Sequence, residues 1–229
     1  MAKRRKDKFE DETLVNVVEV KDSAQDYFER NKTIVMSVIA AIVLAVGAFI
    51  VYKYFIKEPR EMQAKVAIYK AEQQFAQDSF ALALENPGGG FEGLLDVIDN
   101  YSGTATANLA KLYAGISYLN LGRYEDAISY YSSHNASSFY SRILKNGGLG
   151  DAYSETGDFD KALSFYDKAV NSGNDDLLTP YYLYKQGLLA KRTGDNNKAR
   201  TSFERIRDEY PGSNEANNIA LMIANLSDS

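Results

Sequence analysis

Nineteen consecutive residues, Ile34 to Tyr52 (IVMSVIAAIVLAVGAFIVY), carry no charge. At about 1.5 Å of rise per residue, a helix of that length nearly crosses a hydrocarbon core roughly 30 Å thick. Tyr54, Phe55 and Ile56 complete the span, because Lys53 lies near the helix end and can reach the headgroups with its ammonium. Eleven of the nineteen residues are Ile, Val, Leu or Phe. At central positions such residues supply on the order of −3 to −6 kcal/mol of insertion free energy. Tyr52, Tyr54 and Phe55, followed by Lys57 and Arg60, read as an interfacial belt. A buried core helix rarely runs so long without a charge, and a cleaved signal peptide has a shorter apolar stretch. Ala45-Val46-Gly47 offers a small-residue cleavage site, but thirty-three residues precede the run, which favours an uncleaved anchor.

Charge near the span does not orient it, since Arg30 and Lys32 on one side face Lys53, Lys57 and Arg60 on the other. Residues 1–33 hold eight basic and eight acidic side chains, so residues 34–229 carry the whole formal charge of −5. An acidic domain repels phosphate backbones, which argues against a nucleic-acid partner. The chain has no cysteine and a single histidine, His134. Disulfides, thiolate nucleophiles and histidine-rich metal sites are thereby excluded. Residues 1–12 read as a charged, solvated tail, Thr13–Val20 as a short strand or interfacial segment, and Ser23–Lys32 as a helix capped by Ser23 and leading into the span.

Beyond the span the chain repeats itself. Gly115, Tyr118, Gly122, Ala127 and Tyr131 align with Gly150, Tyr153, Gly157, Ala162 and Tyr166, and again with Gly187, Ala190, Gly194, Ala199 and Phe203. The leading glycines let two antiparallel helices approach closely. Gly122, Gly157 and Gly194 sit where the first helix must stop, and glycine takes the left-handed cap at little cost. Asp158 and Asp195 follow directly, placed to cap the second helix. The pattern resembles the tetratricopeptide repeat over residues 108–212, with the early tryptophan replaced by Lys111, Asn146 and Leu183 and the terminal proline present once, as Pro211.

Flanking segments complete the stack. Pro59 to Glu85 places Met62, Val66, Tyr69, Ala76, Phe80 and Leu84 at helical spacing, which predicts one long amphipathic helix. Asn86-Pro87-Gly88-Gly89-Gly90 breaks it, and Phe91–Tyr101 resumes as helix. Ser213–Leu226 reads as a single closing helix capped by Ser213. The expected fold is all-α: a single N-terminal transmembrane helix followed by a tetratricopeptide-like α-α superhelix. Its parts are an N-terminal tail (1–32), which the resemblance given below places in the cytoplasm, the span (33–56), a membrane-proximal helix pair forming a degenerate repeat (57–106), and repeats with their closing helix (107–229).

No constellation for catalysis emerges, and none for a cofactor or a metal ion. Gly88-Gly89-Gly90 lacks the Gly-Lys-Ser/Thr of a phosphate loop, and Gly147-Gly148 is expected to precede a repeat helix. There is neither a Gly-x-Ser-x-Gly elbow nor a His-Glu-x-x-His pair. Asp175 and Asp176 are expected as solvated caps without partners, and His134 as a helix-end contact. The tetratricopeptide resemblance implies a concave face built from five positions of each unit. These are Leu109, Leu112, Ile116, Leu119 and Asn120, then Leu144, Gly147, Asp151, Ser154 and Glu155, then Tyr181, Tyr184, Leu188, Lys191 and Arg192. The face has an apolar end, an acidic middle and an aromatic-basic end, suited to an extended or helical peptide. Whether the helix after Pro59 covers its apolar end stays open at this stage.

The whole layout resembles the YfgM-like ancillary subunits of the bacterial Sec translocon. The residues that carry the likeness are Asp26-Tyr27-Phe28-Glu29-Arg30-Asn31-Lys32, Tyr52-Lys53-Tyr54 and the repeats. The N-terminal tail departs from that pattern, being longer and more basic. The resemblance implies a single-pass protein of the bacterial inner membrane with its N-terminus cytoplasmic and its repeats periplasmic. It also implies partners among translocon subunits, periplasmic chaperones or exported clients, with a tethered scaffold for envelope assembly or division as the alternative.

Overall fold

A computed structural model describes residues 27–226. The readings of Thr13–Val20 and of the Ser23 cap lie outside these residues. The chain divides between Glu58 and Pro59 into two compact units.

In the first unit, residues 27–30 are helical and α1 runs from Lys32 to Val51, ending in a π-helical turn over Tyr52–Lys57. None of the α1 side chains is buried. A helix satisfies its own backbone N–H and C=O groups, which is the condition for crossing lipid. Among the described residues, one helix is long and apolar enough to cross a membrane, and it contains this segment.

The second unit holds α2 (Glu58–Phe75) from its second residue on, then α3 (Phe80–Glu85), α4 (Leu94–Asn100), α5 (Ala105–Asn120), α6 (Tyr124–Ser133), α7 (Phe139–Glu155), α8 (Phe159–Val170), α9 (Leu178–Arg192), α10 (Asn196–Glu209) and α11 (Ile219–Ala224). No strand occurs among the described residues. Helices α5–α6, α7–α8 and α9–α10 form three hairpins. Each first helix ends at a left-handed glycine: Gly122, Gly157 and Gly194 have φ of 73°, 83° and 85°. The same pair of bonds closes every hairpin, as where Asp158 N–H donates to Tyr153 O (2.9 Å) and Gly157 N–H to Ser154 O (3.2 Å). Asp158 and Asp195 then cap α8 and α10 by accepting from the amides of Lys161 and Lys198.

The leading glycines carry the packing. A Cβ at Gly115 would lie 2.9 Å from the Tyr131 ring, at Gly150 2.5 Å from Tyr166, and at Gly187 2.3 Å from Phe203. In every hairpin, therefore, an aromatic ring of the second helix rests on the bare backbone of the first. Gly147 and Gly148 lie inside α7 rather than ahead of it, under the rings of Tyr182 and Tyr131. A polar side-chain bond joins the second and third hairpins as well. Gln186 on α9 donates to Asp167 on α8 (2.7 Å) and accepts from Ser202 on α10 (2.9 Å).

Three expectations are corrected. The segment after Pro59 does not continue to Glu85, because Asp78 adopts a left-handed conformation (φ 55°) and ends α2 with glycine-like cap bonds. Met62, Val66 and Tyr69 do not face the core; Ala64, Ile68 and Ala71 do. Both triplets fit helical spacing, but the alanines let α2 approach the repeats closely, so the larger residues face outward. The closing helix is broken, since Ser213 caps only a 3-10 turn (Asn214–Ala216), and left-handed Asn218 (φ 65°) precedes α11. Ile219, Ile223 and Leu226 still cover the last hairpin.

Glu61 ties α2 to the first hairpin. Its carboxylate accepts from the amides of Ala105 (2.7 Å) and Thr106 (3.2 Å) and from the Thr106 hydroxyl (2.7 Å), at the start of α5. Burial pushes the Glu61 pKa up, but these bonds and Lys65 outweigh it, and the carboxyl titrates below its ordinary 4.5. The folded state therefore holds the proton less tightly than the unfolded chain. The contribution to stability is complete above pH 4.5 and is lost as pH falls through the depressed folded value. Glu61→Gln is expected to cost about 1–3 kcal/mol at pH 7, and much less at pH 3.5, by urea unfolding of the full chain in detergent.

Candidate protein-binding groove

The first helices α5, α7 and α9 lie side by side, each touching the next, with α6, α8 and α10 packed behind them. Near their C-terminal ends a cavity of about 380 Å³ opens. Leu119, Asp151, Ser154, Glu155, Leu188 and Arg192 line it, as do Tyr124, Tyr166, Lys185 and Leu189. The first six belong to the face expected from the sequence, and the last four do not.

Other residues of that face fall elsewhere. Leu109, Tyr181 and Leu188 are 37%, 39% and 39% exposed, so the surface has apolar and aromatic character that solvent can reach. Ile116 is half-buried and Lys191 is exposed. Leu112 is buried in the core and is no groove wall, and Tyr184 is half-buried with its ring against Phe203. Gly147 is sealed beneath Tyr182. Helix α2 packs on α5 beside the apolar end, where the Phe75 ring lies tilted by 34° against Tyr113 with centroids 4.7 Å apart, while Leu109 stays partly open.

Asp151 organises the cavity. Its Oδ1 accepts from the Tyr166 hydroxyl (2.6 Å) and from Lys185 Nζ (2.8 Å). Lys185 also lies 4.6 Å from the centre of the Tyr181 ring. Burial and the neighbouring Asp151 charge both push the Tyr166 pKa far up, so the hydroxyl is held as a donor. For Lys185, burial favours the neutral amine, but the Asp151 carboxylate outweighs it and keeps the ammonium charged beyond the ordinary lysine range. Arg192 stacks over Phe159 at 4.7 Å. The cavity thus presents a pre-ordered carboxylate and ammonium beside leucine walls, a surface that can take backbone amides and an apolar side chain together.

One of the missed residues carries a signal. Lys185 lies 34 residues after Asp151, about one repeat period, so stacking brings the two side chains together across the hairpin junction. Asp175, expected without a partner, caps α9 by accepting from the amides of Leu177 and Leu178. His134 ends α6, is 4% exposed, and bonds through Nδ1 to Asn108 O (2.8 Å). Burial lowers its pKa and Lys145 and Lys111 lower it further, against the opposing backbone bond, which fits a neutral joint between the two helices of the first hairpin. No group of three or more His, Cys, Asp or Glu placed to hold a metal ion occurs among the described residues.

Family profiles for the tetratricopeptide repeat match residues 109–133, 146–172 and 181–213. The chain therefore carries tetratricopeptide repeats, and these indicate a protein–protein interaction module. No catalytic family is indicated. No curated protein matches the chain.

Removal of the Asp151 charge tests the cavity's architecture. Asp151→Asn strands the partly buried Lys185 ammonium and is expected to destabilise the chain by about 1–3 kcal/mol. Lys185→Met in the same chain should recover most of that loss, because the remaining pair is neutral. Urea unfolding of the wild type, both single variants and the double variant measures the coupling directly.

Proposed function

We propose that this chain is a membrane-tethered protein-binding subunit whose repeats hold a peptide segment of a partner along the face of α5, α7 and α9. Residues 1–32 form a cytoplasmic tail, 33–56 the single span, 57–106 the membrane-proximal helices and 107–229 the binding repeats. The observation that carries the reading is the cavity around Asp151, which all three first helices line: α7 and α9 with the hydrogen-bonded Asp151 and Lys185, α5 and α9 with Leu119, Leu188 and Leu189. Leu109, Ile116, Leu119, Asp151, Glu155, Tyr181, Lys185, Leu188 and Arg192 contact the partner.

The partner we infer is the bacterial Sec translocon together with its exported clients or their periplasmic chaperones. Support comes from the layout of tail, apolar helix and repeats, and from the likeness in residues 26–32 and 52–54. A module held at the exit of a channel meets chains before they fold, when apolar segments are exposed and need a transient partner. A photocrosslinker placed at Tyr181 or Leu188 in intact membranes tests this. Translocon subunits and nascent chains should be trapped. Trapping of envelope-assembly or division proteins instead would replace this reading with that of a tethered scaffold.

A further inference from the structure

Helix α2 has two apolar faces. Ala64, Ile68 and Ala71 are buried against the repeats. On the opposite side Met62, Val66 and Tyr69 are 62%, 65% and 59% exposed. A helix apolar on both sides normally has neighbours on both sides. The outward residues, continued by Gln73, are spaced four, three and four apart. That is the spacing of a coiled-coil seam, with Val66 and Gln73 at a positions and Met62 and Tyr69 at d positions. Side-chain bonds order the end of the ridge: Gln73 donates to the Tyr69 hydroxyl (2.8 Å) and accepts from Lys70 (3.1 Å).

Charge decides what can cover this seam. In the register set by Val66, Lys65 falls at a g position and Lys70 at an e position. In a parallel pairing of two copies, Lys65 of one would face Lys70 of the other, and like charges there oppose association. The next g position, Glu72, offers no relief, because it is half-buried beside Tyr113, whose hydroxyl pKa is raised by burial first and by the Glu72 charge second. We infer that the Met62–Gln73 ridge of α2 docks an amphipathic helix from a different protein, one with apolar a and d positions and Asp or Glu at its flanking e and g positions. This contact is separate from the repeat face and independent of what binds there.

The chain's lack of cysteine makes the test direct. The full chain is placed in nanodiscs, and the probe is a fluorescent three-heptad peptide with Val at a, Leu at d and Glu at e and g. A matching peptide with Lys at e and g is the control. The acidic peptide is expected to bind the wild type at least about ten-fold more tightly than the basic one, and Lys65→Glu with Lys70→Glu should reverse that preference. Val66→Asp should abolish binding of both, with the helical circular dichroism spectrum unchanged. Val66→Cys should react rapidly with a water-soluble maleimide in the absence of peptide and slowly in its presence. Equal binding of the two peptides, or of neither, overturns the inference. So does a disulfide-linked dimer of Val66→Cys, which would assign the ridge to a second copy. Slow maleimide labelling without peptide overturns it too, by assigning the ridge to lipid.

Discussion

An aromatic ring pressed onto a glycine is the contact on which the repeat domain depends. Tyr131, Tyr166 and Phe203 occupy space that any side chain at Gly115, Gly150 or Gly187 would take. All three rings are 3% exposed or less. Because the ring sits on the backbone itself, it sets the distance between the two helices of a hairpin. That distance in turn fixes where the next hairpin lands. Ala127, Ala162 and Ala199, each fully buried, hold the same spacing from the opposite helix. A hairpin of this kind cannot bury its apolar surface alone, so stability comes from stacking neighbours.

The same residues connect core to surface. Tyr166 lies on Gly150 through its ring and reaches Asp151 through its hydroxyl. The carboxylate that organises the cavity is thus positioned by the side chain that spaces the hairpin. Lys185, from the next hairpin, completes the arrangement. A face of this construction is pre-ordered, and a ligand bound there would have little side-chain entropy left to remove.

Much of the architecture was legible in the residues. The recurring Gly, Gly, Ala and aromatic positions locate three hairpins, and Asp158 and Asp195 mark the starts of two second helices. What was not legible depended on phase and on neighbours. Helix α2 offers two stripes with the same period, and only packing decides that Ala64, Ile68 and Ala71 turn inward. Asp78 and Asn218 adopt left-handed conformations that glycine usually signals, so the breaks at those points left no obvious mark. In the groove, Asp151 was identifiable from its repeat position. Its partner Lys185 was not, because that pairing crosses from one hairpin to the next. Leu112 and Tyr184 occupy groove positions of the repeat, yet the first is buried and the second is half-buried against Phe203.

Ring-on-glycine contacts make the hairpins one cooperative stack. Amide hydrogen exchange of the full chain in nanodiscs, compared between the wild type and Gly150→Val, tests it most directly. Protection should fall in α7 and α8 and also in α5–α6 and α9–α10, since displacing Tyr166 shifts both junctions. Loss confined to α7 and α8, or no loss at all, would contradict it.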